Sequence, residues 1–107
     1  MWSKYELEES EELYKDILDS LYLNIRMHLG DHKYVNTFRM TIDDLENKIN
    51  FLKPKITKEH FFFFAGASED RMGKRAIDGA YDYDAYLDAR DRFYRFIGLE
   101  VKVNAKD

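Results

Sequence analysis

At 107 residues the chain is long enough for one hydrophobic core and too short for two. Apolar residues make up 45% of it and aromatics 16%, enough buried surface to outweigh the entropy lost on folding, so a disordered chain is excluded. The net charge is −4 and there is no cysteine, which removes disulfides, Cys-ligated zinc, iron–sulfur clusters and thiol nucleophiles from consideration.

No stretch approaches the roughly 18 apolar residues of a membrane span, and Met1-Trp2-Ser3-Lys4 opens no signal-peptide core. A cytoplasmic protein with no membrane association is expected. Residues 1–52 carry 11 acids and 6 bases, and residues 53–107 carry 10 and 11. With no clustered basic face, direct nucleic-acid binding is disfavoured.

The first helix is predicted over about residues 4–29. Ser3 and Glu6 have capping-box spacing, and Leu7, Tyr14, Leu18, Leu21, Ile25 and His28 recur at helical intervals, widened by Leu13, Ile17 and Tyr22, before Gly30. Residues 31–40 alternate loosely through Tyr34, Phe38 and Met40 and read as a loop or short strand. Thr41 is the next N-cap, with Asp43 and Asp44 at the positive end of the helix dipole. Ile42, Leu45, Ile49 and Leu52 form one face of that helix, and Pro54 stops it.

Thr57 caps a third helix, predicted over about 58–67, although the run Phe61, Phe62, Phe63, Phe64 suits a buried strand equally well. Residues 66–80, with Gly66, Gly73, Gly79 and the bases Arg71, Lys74 and Arg75, read as an irregular connection. The last helix starts after Asp82, presents Tyr83, Tyr86, Leu87, Arg90, Phe93, Tyr94 and Ile97 on one side, and ends at Gly98. Leu99, Val101 and Val103 then alternate with polar residues in an extended segment.

These elements predict a mainly α fold. It is a compact bundle of about four helices with short extended segments, forming one domain over residues 1–103 with a flexible tail at 104–107. The alternative is α+β, with Tyr34–Met40, His60–Ala65 and Leu99–Val103 in one small sheet.

Several constellations carry possible chemistry. His28 and His32 stand four apart, as zinc ligands on a helix do, but Gly30 between them breaks that geometry. Asp84, Asp88 and Asp91 could hold a cation, yet Asp88 with Arg92 and Asp91 with Arg95 have the spacing of ordinary i,i+4 ion pairs. The glycines and bases of 66–75 have neither the Walker nor the dinucleotide-binding spacing. No metal or cofactor is expected. Arg26 followed by His32 resembles the Arg-x(4–6)-His motif of HEPN ribonucleases, which are helical bundles. This chain departs from the family pattern at Met27, where a polar residue is usual. The resemblance implies a small ribonuclease using Arg26 and His32 across a dimer cleft.

The favoured reading is non-catalytic. Glu8, Glu9, Glu11, Glu12 and Asp16 crowd the start of the first helix, and Phe61–Phe64 supply more aromatic surface than a small core readily covers. These nine residues are the candidate partner-binding positions of a small acidic regulator or inhibitor that binds another protein, with a homodimer a further possibility. A nucleic-acid-mimicking inhibitor of a nucleic-acid-binding protein is the third reading, because carboxylates along a helix imitate a phosphate backbone. Small acidic Cys-free chains of this kind are common among phage-encoded and accessory proteins, an association of composition alone.

Overall fold

The computed structural model describes residues 8–79 and 81–98. It contains four α-helices: α1 (Glu9–His28), α2 (Ile42–Leu52), α3 (Lys58–Ile77) and α4 (Tyr83–Ile97). Short 3₁₀ turns lie at Thr37–Arg39 and Lys53–Lys55, and the described residues hold no strand. The chain is therefore mainly α, and the sheet alternative fails because His60–Ala65 is helical. The Ser3–Glu6 capping box, the extended segment at 99–103 and the tail at 104–107 lie outside the described residues.

α1 is the hub: it packs on each of the other three helices. Its stripe Leu13, Tyr14, Ile17, Leu18, Leu21, Tyr22 and Ile25 is buried almost without interruption, as the three-and-four spacing requires. The helix starts later than predicted. Glu8 has extended backbone (φ −64°, ψ 156°) and is the N-cap, and the Glu11 carboxylate reaches back to the Glu8 amide at 3.4 Å. Glu9, Glu11 and Glu12 then occupy the first turn, where negative charge is favoured by the dipole.

After α1 the chain doubles back. Arg26 donates to the Lys33 carbonyl (3.3 Å), and eleven residues earlier on the same helix Lys15 donates to the carbonyls of Thr37 (3.2 Å) and Phe38 (3.4 Å). The segment 31–40 thus runs back beside α1 and delivers Thr41 near the helix's first half. Tyr14 of α1 bonds Glu46 of α2, while Tyr22 and Arg26 share a cleft with Phe51 and Leu52 near the end of α2. α1 and α2 consequently run in the same direction. Thr41 caps α2 as predicted, accepting from the Asp44 amide at 3.0 Å while Asp44 accepts from the Thr41 amide at 3.1 Å.

The largest departure from the sequence reading is α3. It runs ten residues past its predicted end, through Gly66 and Gly73, and breaks at Asp78 and Gly79. Phe61, Ala65, Ser68, Met72 and Ala76 are all buried, one continuous face whose packing outweighs about 1 kcal/mol of helix propensity lost at each glycine. α4 begins after the Asp82 cap, which accepts from the Ala85 amide at 3.1 Å. It ends at Gly98, whose φ of 84° suits a residue without Cβ. Tyr86, Ala89, Phe93 and Ile97 complete the core.

Candidate binding surface

The acidic start of α1 divides into residues that hold the fold and residues that face a groove. Glu8 is the cap, and Glu9 accepts a hydrogen bond from the Asp82 amide at 2.6 Å, tying the beginning of α4 to the beginning of α1. Glu11, Glu12 and Asp16 line a groove of about 940 Å³ between α1 and the start of α2. Asp43 joins them from the first turn of α2, and Phe38, Met40 and Ile42 supply the apolar lining. The Phe38 ring is 86% exposed.

Two cations lie at the groove and both are occupied elsewhere. Lys15 is held on the carbonyls of Thr37 and Phe38, with its ammonium 5.6 Å from the Phe38 ring centre. The Arg92 guanidinium sits 4.4 Å from the centre of the Tyr14 ring. Neither forms an ion pair with a groove carboxylate among the described residues. Partial burial pushes the Asp16 carboxyl up from its ordinary pKa, against the opposing influence of Lys15 and Arg75. Burial raises Asp19, one turn further on, in the same way, and its Oδ1 is buried without a hydrogen-bond partner. Acids in this state gain from an added cation.

No known family model, curated protein or solved structure matches the chain.

The phenylalanine run does not join the groove. Phe61 is buried with the Lys53 ammonium 4.7 Å from its ring centre, and Phe62 packs edge-on against it. Phe63 is 68% exposed. Phe64 is half-buried against His28 and His60, whose own ring centres are 4.7 Å apart. Of the four, Phe63 alone is left as an open apolar surface.

The remaining constellations resolve individually. Arg26 is buried in an ion pair with Asp31 (2.7 Å) and lies 5.4 Å from the Tyr22 ring centre, whereas His32 is exposed. Hydrogen bonds from Arg26 and the Lys33 amide hold the Asp31 carboxyl below its ordinary pKa. His28 faces His60 rather than His32. Among the described residues no three His, Asp or Glu side chains gather closely enough to hold a metal. The expected Asp88–Arg92 and Asp91–Arg95 pairs do not form, and the Arg92 guanidinium lies over the Tyr14 ring instead. Arg71, Lys74 and Arg75 belong to the last turns of α3 rather than to a loop, with Lys74 3.5 Å from Asp70 and Arg75 against Tyr81. No described helix is long and apolar enough to cross a membrane.

Sequence reasoning missed Phe38, Met40, Ile42 and Asp43 as groove residues. Only the Thr41 cap, which puts Asp43 in a first turn, hinted at one of them. That the intervening segment folds back along α1 has no local signature.

Proposed function

We propose that this chain is a non-catalytic protein-binding module whose groove at the start of α1 takes a basic, partly apolar segment of a partner protein. The supporting observation is the mismatch of charge. Glu11, Glu12, Asp16 and Asp43 face one concavity whose two cations, Lys15 and Arg92, are engaged with backbone carbonyls and an aromatic ring. A Lys- or Arg-bearing segment would neutralise these acids, and an apolar side chain beside the cation would cover Phe38. Glu11, Glu12 and Asp16 retain the partner-facing role; Glu8 and Glu9 are assigned to holding the helix ends.

The test is affinity capture from the native host with the wild-type chain and with the pair Glu12→Lys and Asp43→Lys, which leaves the α1 cap intact. Loss of a stoichiometric partner, with an affinity for the wild type that falls as salt rises, is the expected result. A partner held equally well by both chains, with no salt dependence, would remove the acidic groove from the interface. Recovery of further copies of the chain itself would make the surface a self-association site.

A further inference from the structure

A second concavity lies at the opposite end of the α1–α2 pair. Its volume of about 400 Å³ falls in the range of small-ligand pockets. Tyr22, Leu29, Phe51 and Leu52 form apolar walls, and the charged groups are Arg26, Lys48 and Asp31. Two cations thus meet one acid here, the reverse of the chain's overall balance of −4.

Asp31 is fully committed. Its Oδ2 accepts from Arg26 Nε (3.1 Å) and Nη2 (2.7 Å), and its Oδ1 accepts from the Lys33 amide (3.1 Å). Arg26 is not. The residue is 7% exposed, Nη2 also donates to the Lys33 carbonyl, and Nη1 is buried with no partner at all. Buried donors are seldom left unmet, because their desolvation then goes uncompensated. Lys48 is exposed and makes no ion pair among the described residues. Phe51 beside it is 70% exposed.

We propose that this cleft binds a small organic monoanion: a carboxylate carried on a flat or branched apolar body. The carboxylate pairs with the Lys48 ammonium and, after a small shift of the guanidinium that uncovers Nη1, accepts from Arg26, while the apolar body covers Phe51 and Leu29. Asp31 already neutralises Arg26, so among the lining groups the Lys48 ammonium is left to match the single charge of a monoanion.

The test is an NMR titration of the full chain with hydrocinnamate, following backbone amide shifts, with neutral hydrocinnamide as control. A tripeptide ending in a free phenylalanine carboxylate and its C-terminal amide form a second arm, which separates a free metabolite from a peptide terminus as the source of the carboxylate. We expect saturable shifts confined to the cleft, around Arg26, Leu29, Lys48 and Phe51, at roughly millimolar concentration for a fragment this small. The amides should bind at least about tenfold more weakly. Lys48→Gln and Phe51→Ala change exposed side chains and should each weaken binding several-fold with the fold intact. Arg26→Lys, which keeps the charge but not the guanidinium, should abolish selectivity for acid over amide. Absence of saturable shifts at the cleft, or equal binding of acid and amide, would overturn the proposal.

Discussion

Gly66 and Gly73 both lie inside α3 with ordinary helical backbone, so alanine at either should gain about 1 kcal/mol of helix propensity. Their surroundings separate them. A Cβ at Gly66 meets nothing within 4 Å, whereas one at Gly73 lies 2.8 Å from the Tyr86 hydroxyl oxygen and 3.2 Å from its Cζ. Tyr86 has little freedom to move away: it is 4% exposed and its hydroxyl donates to Glu69, which also accepts from Tyr94 at 3.0 Å. Overpacking of this kind costs about 1–3 kcal/mol, so the net effect at Gly73 is a loss of about 1 kcal/mol. Urea unfolding should place Gly66→Ala above and Gly73→Ala below the wild type, with midpoints roughly 1.5 M apart for a domain of this size and an unchanged slope. Adding Tyr86→Phe removes the clashing oxygen and should cost less in the Gly73→Ala background than alone, a coupling of about 0.5 kcal/mol or more. If Gly73→Ala stabilises as much as Gly66→Ala, Tyr86 is not fixed against α3. If Gly66→Ala destabilises, α3 does not continue through that position.

Glu9→Gln should lower stability by about 0.5–1 kcal/mol through the weakened bond to the Asp82 amide, while Glu12→Gln, on the same acidic face, should be neutral in the same urea titration. Phe61→Ala should cost about 3–5 kcal/mol by opening a core cavity, whereas Phe63→Ser should leave the thermal midpoint within about a degree and raise solubility, measured by calorimetry and precipitation. Asp16 and Asp19 have folded-state pKa values raised by burial, so the folded state binds protons more readily than the unfolded one, and their contribution to stability falls as pH rises from about 4. Asp19→Asn should accordingly stabilise the chain slightly at neutral pH, the effect kept small because the group stays half in water, and the advantage should vanish below about pH 4. An advantage that grows on acidification would reverse the assigned direction.

The helices were legible wherever a cap and an apolar stripe agreed. Thr41 with Asp44, Thr57, and Asp82 with Gly98 mark their ends in the sequence and in the structure alike. The stripe of α1 could be read in the same way, but its start could not. Ser3 and Glu6 have the spacing of a capping box, and so do Glu8 and Glu11, and no local rule ranks two nested caps. Glycine's helix propensity, taken at its solvent-exposed value, ends α3 near residue 67, ten residues short of its end at Ile77. In the fold, Ser68, Met72 and Ala76 carry the buried face across both glycines, and Tyr86 uses the space that Gly73 leaves open. Of the candidate surface, the acids of α1 were visible as composition. The division into caps and groove residues was not, because Glu9 is assigned by a contact with Asp82, 73 positions away.

The acidic groove follows from the way α2 is placed. For α2 to run parallel to α1, the segment between them must return along the whole helix, and its backbone carbonyls need donors there. α1 supplies them from two of its cations: Arg26 at Lys33, and Lys15 at Thr37 and Phe38. Lys15 is the one base among residues 8–19. Fixing it on carbonyls leaves Glu11, Glu12 and Asp16 without a direct ion pair to the one base on their stretch of helix, although its charge still acts on Asp16, and it sets Phe38 in the open beside them. Charge and apolar surface are thereby concentrated at the place where the connection closes. If Lys15 is replaced by methionine, the return segment loses its anchor and the groove should lose its shape, although the acids remain. Binding of a basic segment at the proposed site should then weaken while the local charge becomes more negative, an outcome that a purely electrostatic face would not produce.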